Sequence, residues 1–196
     1  MAASDLERCI AGGGVAVFPS DTVYGLACDP GDPAAVERLY ALKGRNTGKP
    51  SAVMFFDTAL ALAALPELGP RTRVLMERLL PGRVTLLLPN PRGRWPLAGG
   101  EALGLRVPDV PALHGVGRPV LQSSANAAGA PDARRLDEVP EAIRRGADLV
   151  IDLGELPGTP STVIDLRRFE AAGEWVVVRS GAVADEVVAR AVADTA

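Results

Sequence analysis

The sequence predicts an α/β fold in which a mixed sheet is covered by helices, and three observations carry that expectation. Short apolar runs bounded by glycine, proline or polar residues recur along the chain and read as buried strands. Segments with one apolar face at helical spacing lie between them, without the strict repeat that an all-parallel sheet would impose. At 196 residues and 47% hydrophobic the chain is long enough to bury a substantial core, and nothing in it resembles a linker, an internal repeat or a low-complexity tract. One domain spanning 1–196 is expected.

In chain order, Ser4-Asp5-Leu6-Glu7 has the capping-box pattern that opens a helix, and Gly12-Gly13-Gly14 closes it. Val15 to Phe18 is the first strand. Asp32 followed by Pro33 marks a helix start, Val36, Leu39 and Tyr40 give it an apolar face, and Gly44 supplies a left-handed cap after Lys43. Ala52 to Phe56 is a strand, Asp57 caps a helical run through Leu65, Pro70 starts another through Leu80, and Val84 to Leu88 is a third strand. Pro89 to Gly100 is rich in turn formers and reads as an exposed loop. Strands are expected at 104–108 and 119–122 with a short helical turn between them, then a polar stretch, a helix near 138–145, strands at 149–153, 162–166 and 175–179, and a terminal helix over 183–193.

Composition narrows the function. The formal net charge of −3 argues against a general nucleic-acid coat, whose affinity rests on many phosphate contacts. Cys9 and Cys28 have neither metal-ligand spacing nor a second pair, so small buried hydrophobes are expected at both. No H-E-x-x-H or carboxylate cluster points to a protein-held metal. The polar N-terminus and the lack of a long apolar run read as a cytoplasmic protein without a membrane contact.

Lysine is the rarest charge in the chain. Among 21 basic residues it occurs only at 43 and 49, flanking Gly44-Arg45-Asn46-Thr47-Gly48. A compact ammonium suits a phosphate, and an arginine fork suits a bidentate anion. The loop therefore fits an anionic ligand such as a nucleoside triphosphate, although a solvated basic turn has the same composition. Four further polar clusters follow apolar segments: 19–26, Arg106 with Pro108, Ser123-Ser124-Ala125-Asn126, and Ser161-Thr162. Loops at strand ends converge on ligand sites in α/β sheets, but hydroxyl and amide side chains also satisfy turns.

The glycine triplet precedes a strand and does not open a helix, and no G-x-x-x-x-G-K-[ST] occurs, so both standard phosphate loops are rejected. His114 is the only histidine and assembles no nucleophile triad. A site of hydroxyls, amides and cations remains, suited to positioning and charge stabilisation in phosphoryl or nucleotidyl transfer.

Read together, the clusters resemble the YrdC/Sua5 family of threonylcarbamoyl-AMP synthases. The matching pieces are Pro19-Ser20-Asp21-Thr22-Val23-Tyr24-Gly25-Leu26 against P-T-[DE]-T-x-Y-G-L, Lys43-Gly44-Arg45 with Lys49-Pro50, and Pro81-Gly82-Arg83-Val84-Thr85-Leu86. Arg106-Val107-Pro108, Ser124-Ala125-Asn126 with Gly129, Pro160-Ser161-Thr162-Val163 and Arg179-Ser180-Gly181 complete the series, in the family's order, from about Gly14 to Gly181.

The resemblance implies a YrdC/RibB-like twisted sheet around a large positively lined cavity. There ATP, L-threonine and bicarbonate would give threonylcarbamoyl-AMP and pyrophosphate, for threonylcarbamoyladenosine modification of tRNA by a downstream threonylcarbamoyl transferase complex. It implies Lys43 and Arg45 as catalytic cations on the triphosphate, with Mg²⁺ held mainly by the nucleotide, and Lys49 as a phosphate contact or the loop's anchor. Ser20 and Thr22 would contact threonine or its carbamate, and Arg106 would pair with its carboxylate. Thr85, Ser124, Asn126 and Ser161 would line the nucleotide and carbamate side, with Arg179 near the phosphates or adenosine.

Two departures are visible. Ser20 stands for the usual threonine, and Val53-Met54-Phe55 stands where some members carry a histidine that contacts threonine. The chain looks like the short, single-domain form. A different class of function, an RNA-binding paralogue without synthase activity and with weak tRNA contact, would use arginines at 71, 73, 78, 92, 94, 134 and 135. Carbamoyl chemistry of the hydrogenase-maturation type would bring acylphosphatase and zinc-finger segments, which this sequence lacks.

Overall fold

The computed structural model describes residues 2–44 and 51–195. Among the described residues nine strands form one mixed sheet, and the chain order of the strands is far from their spatial order. The strands are β1 (Ala16–Pro19), β2 (Tyr24–Cys28), β3 (Ala52–Met54), β4 (Val84–Pro89), β5 (Ala102–Arg106), β6 (Val120–Ser124), β7 (Leu149–Val150), β8 (Thr162–Asp165) and β9 (Val176–Arg179). They lie in the order β7-β1-β2-β6-β3-β5-β4-β8-β9. The β7–β1, β3–β5 and β4–β8 pairs are parallel and the rest antiparallel.

The helices are α1 (Ala2–Ala11), α2 (Pro33–Lys43), α3 (Thr58–Ala64), α4 (Pro70–Leu79), α5 (Glu141–Gly146), α6 (Phe169–Ala172) and α7 (Asp185–Ala193). Their ends follow local chemistry. Asp32 Oδ1 accepts from the N–H groups of Ala34 at 2.9 Å and Ala35 at 3.2 Å, and Asp57 Oδ1 from Ala59 at 2.6 Å and Leu60 at 3.1 Å. Gly44 closes α2 at φ 59°, the left-handed conformation that glycine adopts without a Cβ clash.

Four points depart from the expectation. The helix α1 already includes Ala2, so Ser4 and Glu7 lie inside it and form no capping box. Strand β2 was hidden inside the polar cluster at 19–26, because its apolar half, Tyr24 to Cys28, directly follows a turn. The one-turn helix α6 was missed, and the strand expected at 149–153 ends at Val150. The loop at 89–100 is anchored from within by Asn90, which is buried and bonds Arg94 and Gly100 carbonyls at 3.0 Å each.

Beyond Val150 the chain runs as an irregular strap to Thr162. Six strands separate β7 from β8 in the sheet, and the strap joins the two. It is tied down where the Gly158 N–H donates to Thr22 O at 2.9 Å and the Leu156 N–H to Arg134 O at 2.8 Å.

The main core sits between the sheet and α2, α3, α4, α6 and α7, and includes Val17, Leu26, Val53, Leu86, Leu88, Leu103 and Leu105. A second core packs α1 and the turn at 111–113 against Phe18, Met54 and Val120. Side chains alternate across a strand, so these two cores determine which face of each strand remains for anything else.

Candidate functional site

The remaining face holds a cavity of about 460 Å³. On β5, Leu103 and Leu105 enter the core while Ala102, Gly104 and Arg106 line the cavity; on β4, Leu86 and Leu88 enter the core while Thr85 and Leu87 line it. Ala52, Ala102 and Gly104 are small residues of the cavity lining. A Cβ on Gly104 would stand 3.4 Å from both Cα and Cβ of Ala52, its partner on β3.

One corner is built by the turn between β1 and β2. Ser20 Oγ donates to Val23 O at 2.7 Å and accepts from the Thr22 and Val23 N–H groups at 3.2 Å. Because the Ser20 proton is directed at Val23, the 2.9 Å bond between the two hydroxyls is donated by Thr22. Thr22 Oγ1 in turn accepts from Arg106 Nη2 at 3.2 Å. Arg106 Nη2 also donates to Asp21 Oδ1 at 2.9 Å, in an ion pair whose side chains are 5% and 4% exposed. Burial pushes the Asp21 carboxyl above its ordinary value against the pull of Arg106, and burial lowers Arg106 against the pull of Asp21.

A second corner forms at the C-terminal end of β6. Lys43, the last residue of α2, turns its Nζ onto the Ser124 carbonyl, onto Asn126 O at 2.9 Å and onto Asn126 Oδ1 at 3.0 Å. Ser124 Oγ donates to the same Asn126 Oδ1 at 2.7 Å, and Asn126 Nδ2 donates to Asp132 Oδ1 at 3.2 Å. Ser124 and Asp132 line the cavity, with Asn126 and Lys43 behind them.

The third corner joins β4, β8 and β9. Thr85 Oγ1 and Ser161 Oγ share a 2.7 Å hydrogen bond, and Arg179 Nη2 donates to Ser161 O at 2.7 Å. All three residues line the cavity, although Thr85 and Ser161 stand 76 positions apart in the chain.

Thus Thr22, Arg106, Thr85, Ser124, Ser161 and Arg179 meet at one cavity, whereas Ser20, Lys43 and Asn126 brace its wall. Arg45 and Lys49 lie outside the described residues. The sequence reading missed Ser51, Gln122, Asp132 and Arg167 in the lining. Strand alternation was the available signal for Gln122, which shares its face with Ser124; Arg167 looks in the sequence like any surface arginine. Asp21, passed over as a turn former, is the buried partner of Arg106.

Most of the arginines of the alternative RNA-facing surface have local partners. Arg78 pairs with Asp194, Arg94 with Glu67, Arg134 with Glu155 and Arg135 with Asp137, and Arg71 lies 5.0 Å over the Phe169 ring. His114 is exposed, with Nε2 3.7 Å from Asp109 Oδ1. Cys28 is buried and Cys9 only partly so. Among the described residues, no group of three or more His, Cys, Asp and Glu gathers to hold a metal, and no helix is long and apolar enough to cross a membrane.

Comparison with known proteins adds three findings. The Sua5_yciO_yrdC family model, described as telomere recombination, matches residues 8–181. Proteins named threonylcarbamoyl-AMP synthase from Stutzerimonas stutzeri and Nitrosococcus oceani are 36% and 35% identical, over 84% and 74% of this chain and 92% and 81% of their own lengths. The structure of P. abyssi Sua5 complexed with L-threonine superposes with a TM-score of 0.82 at 29% identity, covering 95% of this chain but only 56% of that longer one.

Proposed function

This chain belongs to the Sua5/YciO/YrdC family, and from that premise we propose that it is an L-threonylcarbamoyladenylate synthase. The reaction joins ATP, L-threonine and bicarbonate into threonylcarbamoyl-AMP, pyrophosphate and water. The observation that carries the reading is the convergence of Thr22, Arg106, Thr85, Ser124, Ser161 and Arg179 on one cavity, in a chain related to named synthases.

The chemistry asks for positioning and charge. The threonine amine, once neutral, attacks the carbon of bicarbonate or its carbon dioxide equivalent to form a carbamate. A carbamate oxygen then attacks the α-phosphorus of ATP and pyrophosphate leaves. Nucleophile and electrophile are both anionic, so their approach needs cations and fixed donors. Arg106 takes the threonine carboxylate and Thr22, held in orientation by Ser20, takes the substrate hydroxyl or carbamate. Thr85, Ser161 and Ser124 face the nucleotide and carbamate, and Arg179 faces the phosphates.

Lys43, Arg45 and Lys49 serve the triphosphate, with Mg²⁺ arriving as part of the nucleotide substrate. For Lys43 this requires its Nζ to exchange the Ser124 and Asn126 oxygens for phosphate oxygens. The labile product passes to a threonylcarbamoyl transferase that modifies tRNA in the cytoplasm.

The test is incubation with ATP, L-threonine and bicarbonate, with pyrophosphate and the mixed anhydride measured. Threonine-dependent pyrophosphate is the expected result. Pyrophosphate that appears equally without threonine, or never appears, overturns the reading.

A further inference from the structure

Asp21 stands behind the cavity wall, not in it. Its side chain is 4% exposed, one oxygen lies 2.9 Å from Arg106 Nη2, and the other accepts from the Asp109 N–H at 3.3 Å. An aspartate in a turn ordinarily bonds the backbone one or two residues on. This one reaches a side chain 85 positions away. Burying two charges together is costly in desolvation and often no better for stability than an apolar pair, so the arrangement needs a reason beyond holding the fold.

That reason lies in the donors Arg106 keeps in hand. Nη2 is committed to Asp21 and Thr22, and Nε is covered, with no hydrogen-bond partner among the described residues. That leaves Nη1 as the nitrogen the guanidinium can present to an anion in the cavity it lines. The guanidinium is planar, with its five N–H directions rigidly related. Fixing Nη2 from behind therefore fixes where Nη1 points.

We propose that Asp21 is a positioning residue that locks Arg106 Nη2, so that Nη1 of the guanidinium is aligned for the α-carboxylate of the amino-acid substrate. The role rests on the synthase reading above. Asp21 does not touch the substrate, because both its oxygens are taken and its side chain is covered. Its negative charge also opposes an incoming carboxylate, so the role requires the alignment of Arg106 to outweigh that repulsion, and tighter threonine binding in Asp21→Ala would show the reverse.

The test measures L-threonine binding calorimetrically, alongside the KM values for threonine and ATP, in the wild type, Asp21→Glu, Asp21→Asn and Asp21→Ala. Threonine affinity should fall in that order, by about 10- to 100-fold in Asp21→Ala, as expected for losing a charge-assisted contact. The KM for ATP should stay within about twofold, since Arg106 is not assigned to the nucleotide. Asp21→Ala should also narrow the preference for L-threonine over L-threoninamide, which lacks the carboxylate charge; a purely structural residue would not move that ratio. If Asp21→Ala fails to fold, Asp21→Asn, which keeps an acceptor oxygen but no charge, gives the same comparison. Unchanged or tighter threonine binding, or an equal rise in both KM values, overturns the role of Asp21 while leaving the synthase reading intact. A wild-type protein that binds no threonine overturns both.

Discussion

Lys43 Nζ lies 3.0 Å from Asn126 Oδ1, so the last residue of α2 is bonded to the end of β6, 83 positions further along the chain. With the Ser124 and Asn126 carbonyls, this contact occupies the three donors of the ammonium. Lys43→Ala should therefore do more than remove a phosphate contact. We expect a loss of about 1–3 kcal/mol of stability from the carbonyls that lose the ammonium, with cooperative melting retained, and loss of turnover. A variant with wild-type urea midpoint would show that the Lys43 bridge does not support the wall.

Gly104 tests the floor. Its Cβ position lies at ordinary contact distance from Ala52 and 3.8 Å from Leu87 Cδ2, so Gly104→Ala should fold and retain activity. Gly104→Leu extends a side chain into the cavity. We expect the KM for ATP to rise at least about tenfold, with a melting temperature near that of the alanine variant. An unchanged KM would place the nucleotide elsewhere.

Tyr24 gives the protein an alkaline dependence. Its hydroxyl donates to Asp152 Oδ1 at 2.6 Å and lies 2.8 Å from the Gly154 carbonyl, holding the start of the strap against β2. Burial, helped by the bond to Asp152, pushes the phenol up to about 12. A phenol whose folded value is raised keeps its proton where the unfolded chain has lost it. Its stabilisation is therefore complete below about 10, the unfolded value, and lost as pH rises toward 12. Tyr24→Phe should lower stability by about 1–3 kcal/mol at neutral pH and flatten the decline between pH 10 and 12. Urea midpoints across that range measure both, and parallel curves for the two proteins would refute the assignment.

Gly158 tests the strap itself. It has φ +82° and its Cβ position lies 3.2 Å from Arg134 Cβ. Gly158→Ala should cost about 1–2 kcal/mol, the usual penalty for a left-handed L-residue, and should raise the KM for ATP through Pro160 and Ser161, which the strap carries to the cavity. A variant as stable as the wild type would mean that the strap relaxes at no cost.

Much of this protein was legible along the chain because it is decided locally. The caps of Asp32, Asp57 and Gly44 depend on groups within a few residues of each other. The strand expected at 104–108 was found two residues early, at Ala102–Arg106, so its division between core and cavity faces was not read in advance. The motif clusters also named the cavity-lining hydroxyls, Thr22, Thr85, Ser124 and Ser161, and two of its arginines, Arg106 and Arg179.

What the chain order could not supply was the partner of each polar side chain. Ser20 and Thr22 look equivalent in the sequence, yet one hydroxyl is consumed by its own turn and the other meets Arg106. Asp21 reads as a turn former until β5 brings Arg106 alongside it. Arg167 and Asp132 gain a place in the cavity only through the strand order and the strap. Backbone conformation follows largely from nearby residues, so the sequence by itself determined most of the helices, the caps at Asp32, Asp57 and Gly44 and the apolar strands, but not β2 or α6. The pairing of charges and hydroxyls follows from which strands lie side by side, and only the tertiary structure decided that.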